Sequence, residues 1–141
     1  KPYLAIMSDL FQIIFIMLPR SPYKGTYGLQ RIVKATSYSV AGFKTAFKNE
    51  AAFRQIILIN FVLIPISFFV PVSRFEQILM IVVCLLAVIV ELINSAIEAV
   101  VDRISIEQHP LSKNAKDMGS AAQFFALVII VLTWGMCLIP A

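Results

Sequence analysis

Four polar side chains recur at helical spacing within an otherwise apolar segment: Glu91, Asn94, Glu98 and Asp102. At about 100° per residue, and with the first of them at zero, the other three lie at about 300°, 340° and 20° around a helix. A helix would therefore carry all four on one narrow stripe. Carboxylates aligned in this way can accept a proton from a hydroxyl, or ligate a divalent cation together with phosphate oxygens.

The position of Glu91 makes it the first candidate for proton transfer. It follows the wholly apolar run of residues 78–90. A helix rising about 1.5 Å per residue would carry it about 20 Å into a hydrocarbon layer about 30 Å thick. A carboxylate at such a depth costs roughly 2.5–3.5 kcal/mol or more. We expect Glu91 to meet the hydroxyl of a lipid headgroup, whereas a stripe that only joins helices is the structural alternative.

Glu98 and Glu50 are the candidate metal ligands. Glu98 lies two helical turns after Glu91, near the expected membrane boundary, and Glu50 directly precedes the first long apolar segment. Mg²⁺ is often held by one or two carboxylates and by the phosphates of a substrate. The chain has neither GxxxxGK[ST] nor GxGxxG. We therefore expect a nucleotide to be held by side chains and metal rather than by a glycine-rich loop.

The composition shows which solvent must surround these residues. Hydrophobic residues make up 60% of the 141 residues and charged residues 14%, whereas soluble domains are roughly half apolar and about one quarter charged. The surplus of apolar side chains requires a bilayer. The net charge is +4, and eight of the twelve Lys and Arg residues lie in positions 1–55. This placement is typical of a cytoplasmic membrane surface and disfavours nucleic acid as a partner.

The hydropathy pattern predicts an all-α integral membrane protein with three transmembrane helices and an N-terminal amphipathic surface helix. We place the surface helix at residues 28–50, where apolar and basic side chains alternate at helical spacing. The spans follow at about residues 51–70, 77–102 and 118–139.

The remaining segments define the domain and its orientation. Residues 1–27 form an N-terminal extension without an assigned role, and residues 28–141 form a single domain. A turn at residues 71–76 and a more basic polar loop at residues 103–117 connect the spans. The positive-inside rule places the loop and the N-terminus in the cytoplasm, and Trp134 is expected in an aromatic belt at the opposite face.

Three segments resemble the bacterial diacylglycerol kinase family: residues 49–55 (NEAAFRQ), 90–103 (VELINSAIEAVVDR) and 115–122 (AKDMGSAA). The resemblance extends over residues 28–134. It implies a homotrimer of three-span subunits in the bacterial cytoplasmic (inner) membrane, with active sites between subunits on the cytoplasmic side. It also implies transfer of the γ-phosphoryl group of ATP, with Mg²⁺ as cofactor, to the hydroxyl of diacylglycerol, which gives phosphatidic acid.

The resemblance also assigns roles to individual positions. Glu91 matches the proton acceptor, Asn94 a polar residue that supports it, and Glu50 and Glu98 the metal ligands. The nucleotide-contacting positions are Arg31, Tyr38, Glu50, Glu98, Glu107, His109, Lys116 and Asp117. The positions along the lipid site are Arg31, Ser39, Lys44, Gln55, Glu91 and Ser120.

Two features depart from the diacylglycerol kinase pattern. Val40 occupies a position in the surface helix where the family carries tryptophan, and His109-Pro110 is similar to the related undecaprenol kinases. Arg103 and the pair Met118-Gly119 are similar to the diacylglycerol branch. Undecaprenol is the alternative acceptor, and a non-enzymatic membrane helper or a small channel lined by the acidic stripe is an alternative of a different class.

Overall fold

The structure is a computed structural model that describes residues 29–104 and 109–139, with side chains from residue 31 onward. These ranges contain α-helices and no strand, so the all-α prediction is confirmed. The helices are α1 (Leu29–Asn49), α2 (Ala51–Ile66), α3 (Arg74–Ile104) and α4 (Pro110–Leu138). The chain divides into two compact units, residues 1–38 and 39–141, and the division falls within α1.

The described part of the first unit is the beginning of α1. Its hydroxyl side chains bond back to the helix: Thr36 Oγ1 donates to the Ile32 carbonyl at 3.0 Å, and Ser37 Oγ donates to the Lys34 carbonyl at 2.8 Å. The helix continues in the second unit to Asn49. Helix α1 therefore matches the amphipathic helix predicted at residues 28–50 to within one residue at each end.

A sharp corner separates α1 from α2. The chain bends by 107° at Glu50, whose backbone is extended with φ −103° and ψ 116°. The Arg54 guanidinium donates to the carbonyls of Phe47 and Lys48, each at 3.1 Å. These carbonyls belong to the last turn of α1, which has no helical partners for them. A residue of α2 therefore caps α1 and holds Glu50 at the corner.

Helices α3 and α4, with 31 and 29 residues, are each long and apolar enough to cross a membrane. The 16-residue helix α2 meets that test only together with α1, as a pair bent at the corner. The first span predicted at residues 51–70 is helical only as far as Ile66, directly after Pro65. The Ser67 hydroxyl then donates to the Ile64 carbonyl at 2.7 Å, and the chain turns.

Helix α3 begins three residues earlier than predicted because of a capping box. The backbone N–H of Ser73 donates to Glu76 Oε2 at 2.7 Å, and the N–H of Glu76 donates back to Ser73 Oγ at 3.3 Å. This reciprocal pair satisfies two otherwise unpaired amides of the first turn. Gln77 Nε2 also donates to the Ser67 carbonyl at 3.0 Å, which closes the turn between α2 and α3.

The polar loop predicted at residues 103–117 is wrong in extent. Helix α3 continues to Ile104, and α4 begins at Pro110. His109 is the N-cap of α4: its Nδ1 accepts a hydrogen bond from the Leu111 N–H at 3.2 Å. Histidine is not among the preferred capping residues, so the start of this helix was missed, although proline at the first helical position was a signal for it. The first two turns of α4 therefore lie within the predicted loop and carry part of its basic and acidic residues.

The antiparallel pair of α3 and α4 forms most of the core. The Trp134 indole N–H donates to the Met80 carbonyl at 3.3 Å, and the Trp134 side chain is only 7% exposed. The Trp134 ring thus packs against α3, whereas its location in an aromatic belt at the membrane surface stays a prediction. The core cluster consists of Ile56, Met80, Val83, Cys84, Ala87, Ala126, Ile130 and Trp134.

We expect Trp134→Phe to lower the free energy of unfolding by about 0.5–1.5 kcal/mol, because the aromatic ring stays buried whereas its hydrogen bond to Met80 is lost. Circular dichroism during unfolding in mixed micelles measures the change, since Trp134 is the single tryptophan and its fluorescence disappears in the variant. A variant as stable as the parent protein would contradict a stabilising role for this bond.

Candidate functional site

Three carboxylates of the second unit share one electrostatic neighbourhood. Glu91, in the middle of α3, is 2% exposed, whereas Glu98 on the same helix and Glu50 at the corner are half-buried. The Glu91 carboxylate experiences repulsion from Glu98 and from Glu50. The structure thus places both predicted metal ligands within electrostatic range of the predicted proton acceptor. Because α2 follows Glu50 directly, the corner positions this carboxylate relative to the stripe on α3.

Asn94 links the buried part of the stripe to Glu98. It is 8% exposed, and its Nδ2 donates to Glu98 Oε1 at 3.1 Å. Its Oδ1 is buried without a hydrogen-bond partner in the described part of the chain. The close approach of Gly119 on α4 explains the position of this oxygen. A Cβ added to Gly119 would lie 2.1 Å from Asn94 Oδ1, so a larger residue would displace the Asn94 side chain.

The outer end of the stripe is exposed and carries an ion pair between the two long helices. Lys116 Nζ lies 2.5 Å from Asp102 Oδ1, and the two side chains are 38% and 65% exposed. Lys116 also experiences the charge of Glu98. Asp117 pairs instead with Lys113 on the solvent side of α4. The charges of Lys116 and Glu98 therefore act on each other, whereas the charges that act on the buried Glu91 are those of two other carboxylates.

The other predicted site residues lie on exposed surfaces or outside the described residues. Within the second unit, Ser39, Lys44, Gln55, His109 and Ser120 are exposed. Arg31 and Tyr38 are exposed on the part of α1 that belongs to the first unit. Glu107 lies outside the residues that the structure describes.

The carboxylates of Glu98 and Glu50 suit a divalent cation that is also ligated by phosphate oxygens, rather than one that protein side chains hold alone. Among residues 29–104 and 109–139, no three His, Cys, Asp or Glu side chains form a group that could hold a metal ion. Glu98 and Glu50 offer two carboxylates, and the Asn94 hydrogen bond orients one of them. A hard divalent cation commonly takes one or two carboxylates and completes its shell with phosphate oxygens and water.

Two residues of α4, Gly119 and Gln123, were not predicted as site residues from the sequence. Gln123 is 9% exposed, and both polar atoms of its side chain are buried without a hydrogen-bond partner among the described residues. A glycine and a carboxamide near the start of a predicted span were the available signals. Their importance depends on which residues of α3 they face, and that is a property of the helix pair.

We expect Gly119→Ala to lower the free energy of unfolding by about 1–3 kcal/mol, because the added methyl group would overlap Asn94 Oδ1 and force the helices or the side chain to move. Thermal unfolding in detergent micelles measures the effect. Gly135→Ala is the matched control on the same helix, since a Cβ there meets nothing within 4 Å. That control should be neutral or more stable, as alanine favours helix. Equal stability of the two variants would contradict the steric argument.

Comparison with known proteins identifies the family of the chain. The profile of the prokaryotic diacylglycerol kinase family matches residues 37–138. The diacylglycerol kinase of Pseudomonas aeruginosa is 66% identical over 119 residues, which cover 84% of this chain and 97% of that protein. The Haemophilus influenzae enzyme of the same name is 50% identical over 113 residues, covering 80% and 95%. That of Escherichia coli K12 is 48% identical over 109 residues, covering 77% and 89%. The resemblance seen in the sequence motifs is confirmed: the chain belongs to the prokaryotic diacylglycerol kinase family.

Proposed function

We propose that the protein is a diacylglycerol kinase that transfers the γ-phosphoryl group of MgATP to the free hydroxyl of diacylglycerol, which gives phosphatidic acid. Family membership supports the reaction class and the acceptor. The observation that carries the mechanism is the burial of the Glu91 carboxylate, 2% exposed, on the same helix as an exposed acidic end that pairs with a lysine.

Glu91 is placed to accept the proton of the lipid hydroxyl. The helical rise puts it about 25 Å along α3 from Arg74, within the half of the bilayer farther from the turn between α2 and α3. The hydroxyl of a membrane lipid lies near the headgroup boundary and can descend to this level more readily than a nucleotide can. Removal of the hydroxyl proton makes the oxygen a better nucleophile, as its bond to the γ-phosphorus forms and the bond from that phosphorus to the bridging oxygen of the leaving ADP breaks.

The outer end of the stripe is suited to the phosphates. Glu98 and Glu50 are the carboxylates that would hold Mg²⁺, which neutralises phosphate charge when it is bound with the nucleotide. Lys116 would exchange its pairing with Asp102 for a phosphate oxygen and offset the negative charge that develops during transfer. Asn94 keeps the Glu98 carboxylate in a defined orientation through its hydrogen bond at 3.1 Å.

Further side chains would contact the nucleotide. The resemblance nominates Arg31, Tyr38, Glu107, His109 and Asp117 for this role, in addition to the residues that meet the phosphates. His109 is the N-cap of α4, and its Nδ1 already accepts from Leu111. Its Nε2 is therefore the ring atom left for a ligand.

The assembly we propose is a homotrimer in the bacterial inner membrane, with the active sites facing the cytoplasm. Large apolar side chains are exposed along α2, α3 and α4, including Phe61, Phe75 and Val131. Lipid and neighbouring subunits would cover these surfaces. The excess of Lys and Arg residues in positions 1–55 supports a cytoplasmic location for α1 and for the acidic end of α3.

The purified protein in mixed micelles should phosphorylate diacylglycerol in a MgATP-dependent reaction, with labelled phosphatidic acid as the dominant product when diacylglycerol and undecaprenol are supplied separately. Thin-layer separation of the labelled lipids measures both products. Undecaprenyl phosphate as the dominant product would overturn the choice of acceptor and keep the mechanism. No transfer to either lipid by folded protein would overturn the function itself.

Glu91→Gln should reduce kcat by at least about 100-fold and leave both KM values within a few-fold, because the amide cannot accept the hydroxyl proton while its shape is preserved. Steady-state kinetics at saturating lipid measures this. Glu76→Gln is the matched control on the same helix: Glu76 takes part in the cap at the opposite end, so stability should fall slightly and kcat should not. A Glu91→Gln variant with near-normal kcat would exclude Glu91 as the base.

A further inference from the structure

The carboxamide of Gln123 on α4 is buried and has no use in the mechanism described so far. The residue is 9% exposed, and neither Nε2 nor Oε1 has a hydrogen-bond partner in the described part of the chain. A carboxamide carries two N–H donors and an oxygen with two lone pairs. Leaving such a group unpaired away from water is unfavourable, so its presence within an apolar helix pair requires a compensating interaction.

The register of the antiparallel helices α3 and α4 identifies which residue Gln123 faces. Trp134 meets Met80 at one end of the pair, and Gly119 meets Asn94 nearer the other end. The number of residues from Gly119 to Trp134 on α4 therefore equals the number from Met80 to Asn94 on α3 to within one residue. Gln123 lies one turn beyond Gly119, about 6 Å along the axis. The corresponding position on α3, one turn before Asn94 in sequence, is that of Glu91.

The angular position of Glu91 around the axis of α3 agrees with this register. Cys84, two turns earlier on α3, contacts the indole of Trp134, and Asn94, one turn later, contacts Gly119. Glu91 falls between these two residues around the helix, at about 100° per residue. It belongs to the buried stripe of α3, as Gln123 belongs to the buried stripe of α4. The two side chains therefore face each other across the interface.

The groups at this point are chemically complementary. The ionised Glu91 carboxylate only accepts hydrogen bonds, and the charges that act on it, those of Glu98 and Glu50, are repulsive. Asn94 commits its Nδ2 to Glu98 and leaves its own Oδ1 unpaired. Gln123 Nε2 has two N–H groups, which matches the two acceptors. A neutral donor stabilises a buried carboxylate without the desolvation cost of another charge.

We infer that Gln123 is a positioning residue, whose Nε2 donates to the Glu91 carboxylate and to Asn94 Oδ1 across the α3–α4 interface. Rotation about the Gln123 side-chain torsions is the movement that forms these bonds. They hold the Glu91 carboxylate in one orientation toward the lipid hydroxyl, and through Asn94 they connect it to Glu98. The inference rests on the proposed function, in which Glu91 accepts the proton.

The test is Gln123→Met, which keeps the length of an unbranched side chain and removes both N–H donors. We expect kcat to fall about 10- to 100-fold, as for loss of a hydrogen bond to a charged group. The KM values for ATP and diacylglycerol should stay within twofold, and the unfolding temperature should be unchanged or higher. Gln77→Met is the matched control: Gln77 bonds the Ser67 carbonyl at the other end of α3, so stability should fall with kcat unchanged.

A second measurement separates positioning from packing. In the Glu91→Gln background, assayed at raised enzyme concentration, Gln123→Met should cause no further loss of kcat, because residues that act through one another are not additive. Three results would overturn the inference: a Gln123→Met kcat within twofold of the parent, a loss confined to the KM for lipid, or the same fold-loss in both backgrounds. Failure of the proposed function would appear differently, as absence of phosphatidic acid from the parent protein.

Discussion

A carboxylate removed from water in the middle of a membrane helix is the constraint on which the rest of the structure depends. Burial of an ionised group in hydrocarbon costs roughly 2.5–3.5 kcal/mol or more, and Glu91 is 2% exposed within a single chain. The other buried polar side chains of α3 and α4 lie on the buried stripes of these two helices. Asn94 and Gln123 supply carboxamides, while much of the remaining face of α3 is apolar and exposed. Glu91, Asn94 and Gln123 thus form a polar seam along the buried stripes of α3 and α4.

The seam runs from buried to exposed along α3, and this gradient supports the different chemical roles that we propose for its residues. At the end near Met80 and Trp134 the interface is closed by packing and one hydrogen bond to a carbonyl. At the other end Asp102 and Lys116 form an exposed ion pair. A proton acceptor suits the dry part, where a lipid hydroxyl can reach it, and charge neutralisation suits the wet part, where phosphates stay hydrated. A membrane kinase built in this way needs no glycine-rich loop.

The corner between α1 and α2 adds Glu50, a candidate metal ligand that α3 does not carry. Glu50 has an extended backbone between two helices, and Arg54 fixes the corner by bonding the last carbonyls of α1. Phe43 packs edge-on against the fully buried Phe53 with ring centroids 5.2 Å apart. A carboxylate at a helix junction is held more firmly by such contacts than one on a free loop would be.

The sequence by itself determined the class of the protein and the acidic stripe, because hydropathy and helical period are properties of a one-dimensional pattern. Residues 91, 94, 98 and 102 share a face of any helix, and an apolar surplus requires a bilayer in any fold. Element ends were less predictable: a histidine cap started α4 at Pro110 within a segment expected to be a loop, and a turn after Pro65 shortened α2. Only the tertiary structure decided that Trp134 packs inside, that Gly119 admits Asn94 Oδ1, and that Gln123 is buried. Those three facts depend on the register between two helices, and register is set by packing of both partners, which no local pattern in either helix contains.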